Sequence, residues 1–395
     1  MPPVKSVHRI VAKNFRSLAS VDVQLAPFTV LAGPNGSGKS NLLNVLRFLA
    51  TTVRFDLDAA LQQWGGLEHV QRQSARPGPV TLEIHGEITQ YASAGAPDEY
   101  RLEFRRTPAG HLSRTEAFTF KRRQGRGRRI VVKGREAVIS ELGDDAAPVE
   151  RSQHLATRQT TGLATLPKLS DEEGGAGIRD LTDFLTSIRI LEPDVAAARQ
   201  PSREYRAPLA DDASNLADAL HRLRTTDEDS WQSLLRDLRE CLPGLADVDI
   251  IPVGGAGRYV YLQLRENGLA PIDLADASFG TVRLLALLTA LHNPEPPPFL
   301  AIEEVDHGLH PYALDLLVAR MRSASDRMQI LAATHSPTLI NRLEPSELVV
   351  CDRDPDTGAS IIPAITSGAV EAAMRRTQRG AGELWFAGAI RGVPA

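Results

Sequence analysis

One run of eight residues has the types and spacing needed to bind a nucleoside triphosphate. Residues 33–40, GPNGSGKS, fit the pattern G-x-x-x-x-G-K-[ST]. Glycines let the backbone curl so that its N–H groups point at phosphate oxygens, and a helix that starts there adds the positive end of its dipole. In such a loop Lys39 reaches the β- and γ-phosphates, and the hydroxyl of Ser40 binds Mg²⁺. The predicted nucleotide contacts are Asn35, Gly36, Ser37, Gly38, Lys39 and Ser40.

Two adjacent carboxylates follow a short apolar segment later in the chain. Phe299–Ile302 has the sequence FLAI and is followed directly by Glu303 and Glu304. The end of a buried strand lies at the carboxyl edge of its sheet, where α/β proteins bind ligands. We expect Glu303 to hold Mg²⁺, directly or through water, and Glu304 to polarise the attacking water. Acidic residues after a strand also commonly begin helices, so the catalytic interpretation depends on the loop at residues 33–40.

Two further motifs each have an ordinary structural alternative. His335 follows the apolar segment ILAA, and a histidine at a strand end can hydrogen-bond a γ-phosphate or the attacking water. Ser278 and Gly280 precede the apolar run VRLLALLTAL, and a helix start of this kind can bind an anion. A lone histidine is more often structural, and Ser278 by itself favours a plain helix N-cap. The predicted catalytic residues are Lys39, Glu304 and His335.

The elements expected to position these residues alternate between strand and helix. Phe28–Ala32 is a continuous apolar run, and residues 40–50 carry apolar side chains at helical spacing, which predicts a strand, a loop and a helix. Alternation between residues 80 and 138 predicts an antiparallel sheet. We expect one α/β head over residues 1–395, with a mixed sheet, flanking helices, an antiparallel β subdomain and a helical lobe. Its expected parts are an N-terminal loop-bearing and antiparallel β part (1–142), a mobile loop (143–177), a helical lobe (178–247), a C-terminal part with the remaining motifs (248–362), and a C-terminal helix and tail (363–395).

The bulk composition excludes several classes of protein. A formal net charge of −4 over 395 residues argues against a basic nucleic-acid coat. Two cysteines are too few for a disulfide framework. No apolar run approaches the ~20 residues that a membrane span needs, and the N-terminus has no apolar signal segment. We therefore expect a cytoplasmic location and no membrane partner.

Together these motifs resemble those of the ABC-type P-loop ATPases, in the branch that includes the structural-maintenance-of-chromosomes and RecF-like proteins. The likeness covers mainly residues 5–50 and 270–350. Stand-alone AAA-family ATPases related to the overcoming-lysogenisation-defect proteins are the most similar in motif, through IEEVDHGLHP at 302–311 and THSP at 334–337. The matching positions are NFRSL at 14–18 with the opening of the branch, Ser278 and Gly280 with the signature, Glu303 and Glu304 with the Walker B pair, and His335 with the switch histidine.

The chain also departs from that pattern. Glu303 stands where the family usually has aspartate, and Ala277 and Thr281 replace the leucine and glutamine of the signature. The overcoming-lysogenisation-defect proteins carry a Toprim nuclease domain, and no nuclease motif is visible in this sequence. The Q-loop has three candidates, Gln62, Gln63 and Gln71.

The resemblance implies an ATP-gated homodimer with ATP and Mg²⁺ as cofactors. In this family two heads enclose two ATP molecules, and the P-loop of one head faces the signature of the other. A twofold dimer of one chain satisfies that arrangement. Ser278 and Gly280 would then contact the γ-phosphate bound by the partner, and residues 306–310 would lie beside the partner's site. The implied reaction is hydrolysis of ATP to ADP and phosphate.

A basic block at residues 121–135 is the candidate surface for DNA. Cationic clusters bind phosphate backbones without sequence preference, but a solvated hairpin tip is an equally good interpretation. The leading hypothesis is an ATPase acting on or near DNA, in repair or phage defence, with a separate nuclease or effector. The alternative is a regulatory ATP-binding switch that controls a partner protein without binding DNA. A transporter subunit is disfavoured by the long interval between Ser40 and Ala277. The candidate nucleic-acid contacts are Arg122, Arg123, Arg126 and Arg128.

Overall fold

The computed structural model describes residues 4–74, 78–122, 127–142, 150–155, 160–254 and 258–390. The strands in these ranges are β1 (Ser6–Phe15), β2 (Leu18–Gln24), β3 (Phe28–Ala32), β4 (Val80–Glu87), β5 (Asp98–Arg106), β6 (Leu112–Phe120), β7 (Gly127–Lys133), β8 (Glu136–Leu142), β9 (Arg151–His154), β10 (Arg189–Leu191), β11 (Ser202–Arg203), β12 (Leu245–Val253), β13 (Tyr259–Glu266), β14 (Ile272–Asp273), β15 (Phe299–Ile302), β16 (Gln329–Thr334), β17 (Leu348–Val350), β18 (Asp352–Arg353) and β19 (Ser360–Ile361). The α-helices are α1 (Lys39–Arg54), α2 (Leu57–Gln63), α3 (Leu67–Val70), α4 (Gly162–Thr165), α5 (Gly175–Ser187), α6 (Val195–Ala198), α7 (Leu216–Thr226), α8 (Glu228–Cys241), α9 (Phe279–Leu291), α10 (Pro311–Ala324), α11 (Pro337–Ile340), α12 (Ser367–Thr377) and α13 (Ala381–Phe386). Short 3₁₀ helices cover Leu166–Lys168, Asp171–Glu173 and Leu274–Asp276.

A parallel sheet with the strand order β10-β15-β16-β3-β17 forms the centre of the head. Each pairing in it is parallel, and every residue of β3, β15 and β16 is buried, as expected of strands covered on both faces. Alternate side chains enter different cores: Val30 packs with α9 and α10, whereas Leu31 packs with α1. Because the strands are parallel, their carboxyl ends meet at one edge.

An antiparallel sheet with the order β2-β1-β4-β5-β6-β7-β8-β9 packs against the other side of α1. Aromatic rings form this contact. The ring of Phe48 in α1 lies 5.9 Å from Phe15, 5.5 Å from Trp64 and 5.6 Å from Phe104, measured between centroids. Helix α1, which begins within the P-loop, is therefore held between the two sheets.

A third unit contains α6, α7, α8 and the small sheet of β11, β13, β12 and β14. The helix α9 belongs to its core and also contacts the parallel sheet. Asp237 of α8 is buried and accepts hydrogen bonds from His292 at 2.6 Å and from two nitrogens of Arg320, both at 2.7 Å. This network joins α8 to the end of α9 and to α10.

The segment 143–177, predicted to be a mobile loop, contains regular secondary structure over its described part. Residues 150–155 and 160–177 contain β9, α4, two 3₁₀ helices and the start of α5, while 143–149 and 156–159 lie outside the described residues. The buried carboxylate of Glu116 accepts a hydrogen bond from the N–H of Gly162 at 2.7 Å. The hydroxyl of Thr161 donates to the carbonyl of Thr52 at 3.0 Å. These partners are distant in sequence, so composition alone could not predict that this segment has regular structure.

The predicted helical lobe at 178–247 is divided between two units. α5 packs with α1 in the main core, and β10 joins the parallel sheet, so only the part from α6 onward contributes to the third unit. Among the helices of the described ranges, none has the length and apolar character needed to cross a membrane.

Candidate functional site

Three adjacent strands bring the predicted site residues to one edge of the parallel sheet. The carboxyl end of β3 leads into the P-loop (residues 33–40), that of β15 into Glu303 and Glu304, and that of β16 into His335. A cavity of about 350 Å³ opens at this edge, which is within the range of roughly 300–1,000 Å³ for small-molecule sites. Its lining residues are Asn35, Gly36, Gly38, Lys39, Ser40, Asn41, Glu303, Glu304, Ala333, Thr334 and His335.

The P-loop has the form of a cradle for an anion. Gly36 and Gly38 have φ angles of +78° and +102°, in the left-handed region that glycine adopts without a steric penalty. Gly38 is the N-cap of α1, so no side chain caps the helix, and its first turn has no acidic residue. The hydroxyl of Ser37 is buried without a hydrogen-bond partner among the described residues. Ser37 does not line the cavity. The N–H groups at the start of α1, which have no partner within the helix, fit a phosphate group.

The outer side of the P-loop is closely packed. A Cβ atom on Gly38 would lie 2.1 Å from Oγ of Ser360, in the hairpin of β18 and β19. The hydroxyls of Ser360 and Ser17 are 2.6 Å apart, and Asn41 donates to Oγ of Ser17 at 2.7 Å. The 14–18 segment that resembled the family opening is thus bonded both to this hairpin and to α1.

The ammonium of Lys39 lies inside the loop that it is predicted to serve. It donates hydrogen bonds to the carbonyls of Gly33 at 2.7 Å and Pro34 at 3.0 Å. Burial lowers the pKa of Lys39, and the negative charges of the carboxylates that follow β15 partly oppose this effect. A phosphate group beside Lys39 would supply the counter-charge that favours its ionised form.

The two glutamates have different environments. Glu303 is buried, and its Oε1 lies 3.8 Å from a guanidinium nitrogen of Arg47. Glu304 has a left-handed backbone, with φ +48°, and a half-exposed side chain whose Oε2 lies 3.1 Å from Nδ1 of His307. Of the two, Glu304 has the carboxylate that water can reach, as a general base requires.

A Mg²⁺ ion at this edge would depend on few protein ligands. Over the ranges that the structure describes, no group of three or more His, Cys, Asp or Glu side chains is arranged to hold a metal. Mg²⁺ is commonly bound by one or two carboxylates together with substrate phosphates and water. Ser40 and Glu303 suit that mode, with the phosphates and waters completing the ligand set.

Arg283 of α9 is a site residue that the sequence did not reveal. It is 4% exposed, and one of its nitrogens donates to the carbonyls of Glu303 at 2.9 Å and Glu304 at 2.7 Å. A second nitrogen donates to the carbonyl of Pro193 at 3.3 Å. Burial lowers the pKa of Arg283, against the pull of nearby carboxylates. Its partners are 20 and 21 residues away along the chain, so no local pattern marks it.

Glu192 is a second residue that sequence reasoning missed. It follows the edge strand β10, and the N–H of Glu303 donates to the carbonyl of Leu191 at 3.0 Å. Burial raises the pKa of Glu192, and the charge of Glu303 adds to the rise. The signal was weak because the strand before it has only three residues. None of the Q-loop candidates lines the cavity; these are Gln62, Gln63 and Gln71.

The predicted signature residues lie at the start of α9 and outside the cavity lining. Ser278 is the N-cap, and its Oγ accepts a hydrogen bond from the N–H of Thr281 at 3.1 Å. A Cβ atom on Gly280 would lie 2.5 Å from the carbonyl oxygen of Gly308. Within this chain Ser278 therefore acts as the plain cap that the sequence allowed, and Gly280 permits close packing on the loop after β15.

A protein-family model described as "AAA domain, putative AbiEii toxin, Type IV TA system" matches residues 28–341. The chain belongs to this family. The matched region includes the P-loop, both glutamates and His335.

Curated relatives and solved structures extend the likeness. The DNA replication and repair protein RecF of Beutenbergia cavernae is 40% identical over 85 residues, which are 20% of this chain and 21% of that protein. RecF of Chloroflexus aggregans is 38% identical over 90 residues, 20% of this chain and 23% of that protein. The matches thus span about a fifth of the relatives' length.

The structural neighbours show the fold. An SmcHead bound to the C-winged helix domain of ScpA has a TM-score of 0.54 and 14% identity, covering 93% of this chain and 99% of that chain. The Smc head domain with an extended coiled coil from Pyrococcus furiosus, bound to the C-terminal domain of ScpA, gives 0.54 and 13%, covering 95% and 100%. The predicted ABC-type P-loop ATPase head of the RecF/SMC type is confirmed.

Two of the four predicted nucleic-acid contacts, Arg123 and Arg126, lie outside the described residues. Of the other two, Arg122 lies 3.3 Å from the buried carboxylate of Asp98. Arg128 donates to the carbonyl of Asp171 at 3.1 Å. Both guanidinium groups therefore already have partners within the chain.

The basic block is also divided by the sheet. Arg128 is near the start of β7 and Lys133 is its last residue, and five residues of strand span about 17 Å. Arg135 follows in the turn to β8 and donates to the carbonyl of Leu155 at 3.3 Å. The described cations of residues 121–135 thus lie at opposite ends of the hairpin.

Proposed function

We propose that this chain binds ATP with Mg²⁺ and hydrolyses the nucleotide to ADP and phosphate. The observation that carries the proposal is the cavity at the carboxyl edge of the parallel sheet. There the P-loop, two glutamates and a histidine meet from three different strands. This meeting of an anion cradle with an open carboxylate matches what phosphoryl transfer to water requires.

Each residue at this edge has a role that its position supports. The N–H groups at the start of α1 and the ammonium of Lys39 would bind the phosphates. Ser40 and Glu303 would hold Mg²⁺, which neutralises phosphate charge when bound. Glu304 would polarise the attacking water, and His335 would hydrogen-bond the γ-phosphate or that water.

We also propose that two copies of the chain assemble around the nucleotide. Ser278 and Gly280 lie outside the lining of their own cavity, as expected if they serve the site of a second copy. Phe279, which lies between them in the chain, is 41% exposed. Exposed aromatic rings are typical anchors of interfaces. A twofold dimer through the start of α9 would cover this ring.

The pathway has two candidates. RecF is named as a DNA replication and repair protein, and on that likeness we propose action on or near DNA, in repair or phage defence, with a separate effector. The internal partners of Arg122 and Arg128 favour instead a regulatory switch that controls a partner protein. Affinity for a DNA duplex measured at several salt concentrations separates the two, because phosphate contacts give a steep salt dependence. No binding at low salt would favour the switch.

The first experiment is the mass in solution of the wild type and of Glu304→Gln, each with ATP and Mg²⁺. Glu304→Gln keeps the shape of the side chain but removes the base, so we expect a stable ATP-dependent dimer with turnover reduced by about 100-fold or more. Removal of Mg²⁺ with a chelator should dissociate that dimer. Glu240→Gln, an exposed glutamate on α8, is the matched control and should behave as the wild type. A monomeric Glu304→Gln with normal turnover would refute the assignment.

A further inference from the structure

His307 lies between the start of α9 and the proposed base. Its Nδ1 is 3.1 Å from Oε2 of Glu304. Its ring centroid is 5.2 Å from that of Phe279, the first residue of α9. The three side chains form a continuous contact from the predicted signature to the carboxylate that would act on water.

The carboxylate of Glu304 needs such a contact because packing does not fix it. Its side chain is 55% exposed, and an open carboxylate of this length has several rotamers. A base acts efficiently only in one orientation, and a displacement of about 1 Å can reduce a rate about 100-fold. The Nδ1–H group of His307 can donate to one carboxylate oxygen and leave the other for the water.

The main chain beneath this contact is held by the same helix. Arg283 donates to the carbonyl of Glu304 at 2.7 Å. A Cβ atom on Gly280 would lie 2.5 Å from the carbonyl oxygen of Gly308, and one on Gly308 would lie 2.5 Å from the ring of Phe279. The loop at 304–308 and the start of α9 are therefore in contact through both backbone and side chains.

We propose that His307 is a positioning residue for Glu304, and that Phe279 couples it to whatever docks at the start of α9. The inference rests on the proposed function, because the orientation of Glu304 matters only if Glu304 acts on water. A second copy docking at Ser278 and Gly280 would contact the exposed ring of Phe279. That contact would fix His307 and, through it, the base. Docking would thus raise turnover through the orientation of Glu304, in addition to any contact that the second copy makes with the nucleotide.

The test compares three substitutions at His307 by steady-state ATP hydrolysis. Asn places an N–H donor at the distance of Nδ1 from the main chain, whereas Gln places it at the distance of Nε2 and Ala has none. We expect His307→Ala and His307→Gln to lower kcat about tenfold with KM changed less than twofold. His307→Asn should retain kcat within about threefold. A merely structural role would not distinguish Asn from Gln in this way.

A matched control lies far from the cavity. His111 is an exposed residue directly before β6 and is not part of the cavity lining. His111→Asn should therefore leave kcat and KM unchanged. Nucleotide affinity and the thermal midpoint of each variant establish that it is folded.

Coupling through Phe279 is tested by a double-mutant cycle. Phe279→Ala should lower kcat in the wild-type background. In the His307→Ala background it should have little further effect, because the two residues act in series. Additive losses would overturn the coupling, and equal kcat values for Ala, Asn and wild type at position 307 would overturn the positioning role.

Failure of the inference can be distinguished from failure of the proposed function. If the wild type does not hydrolyse ATP, or Glu304→Gln has the wild-type rate, the proposed function is wrong whatever the variants of His307 do. If Glu304→Gln is inactive while His307→Ala has the wild-type kcat, only the inference about His307 is wrong.

Discussion

Replacement of Arg283 by methionine tests whether α9 holds the loop after β15. Methionine fills much of the same volume but cannot donate to the three carbonyls that Arg283 contacts. The bonds at 2.7 and 2.9 Å come from a charged donor in a buried site, and each such bond contributes about 1.5–3 kcal/mol. Their combined loss is about 3–6 kcal/mol. The third bond, at 3.3 Å, is long enough to neglect.

Removal of the guanidinium also relieves a cost. Burial of a charge costs several kcal/mol even after relaxation, and the lowered pKa of Arg283 is a sign of that cost. Methionine recovers part of it. We expect Arg283→Met to lower the free energy of unfolding by about 2 kcal/mol, with kcat reduced as well because the main chain of Glu304 loses a partner.

Urea denaturation followed by tryptophan fluorescence measures the first effect, and ATP turnover measures the second. The control is Arg236→Met on the exposed face of α8, which should change the free energy of unfolding by less than about 0.5 kcal/mol. An Arg283→Met protein as stable and as active as the wild type would contradict the assignment of Arg283 as the link between α9 and the loop.

Two further predictions concern the packing around α9. Burial disfavours ionisation of Asp237, but hydrogen bonds from His292 and Arg320 outweigh this effect and hold the pKa of Asp237 below its usual value. Asp237→Asn should therefore lower the free energy of unfolding by about 3 kcal/mol at pH 7. A lowered carboxyl pKa stabilises the fold in full only above the unfolded-state pKa of about 4. Urea denaturation should therefore show the difference between the wild type and Asp237→Asn shrinking as the pH falls below that value. Gly280→Ala should destabilise by about 1–3 kcal/mol, because its Cβ would meet the carbonyl of Gly308. Thermal denaturation measures this loss. The control Gly368→Ala, where a Cβ meets nothing within 4 Å, should be neutral or slightly stabilising in that assay, and equal destabilisation of both variants would refute the argument.

The central strands were predictable because a strand that is buried on both faces has a continuous apolar sequence. Phe28–Ala32 and Phe299–Ile302 match β3 and β15 residue for residue, since each is a continuous apolar run that ends at a glycine or an acidic residue. Each of the strands β3, β15 and β16 is followed directly in the chain by site residues, namely the P-loop, the two glutamates or His335. Their position at the carboxyl edge of the sheet was therefore predictable from chain order. Their meeting in one cavity was predictable, whereas their chemical roles stay predictions.

Residues that act through distant partners were not predictable. Arg283 bonds to carbonyls across about 20 residues, and the segment at 160–163 is ordered by Glu116 on β6, at a separation of 46 residues. The basic block stays a prediction, and long-range contacts bear on it as well. Sequence proximity suggested one cationic patch, but a strand separates its two ends. Carboxyl and carbonyl groups of the same chain form hydrogen bonds or ion pairs with Arg122, Arg128 and Arg135.

Helix α9 connects the third unit of the head to the edge of the parallel sheet that carries the cavity. Most of the buried face of α9 packs with α7, α8 and the small sheet, yet its first two turns contact the loop after β15 through Phe279, Gly280 and Arg283. The third unit and the loop are thus in direct contact. Glu304 lies in this loop with a left-handed backbone, whereas the P-loop follows a different strand. Under the proposed function, a partner that moves the third unit would act on the base through this contact, and turnover would be controlled separately from nucleotide binding.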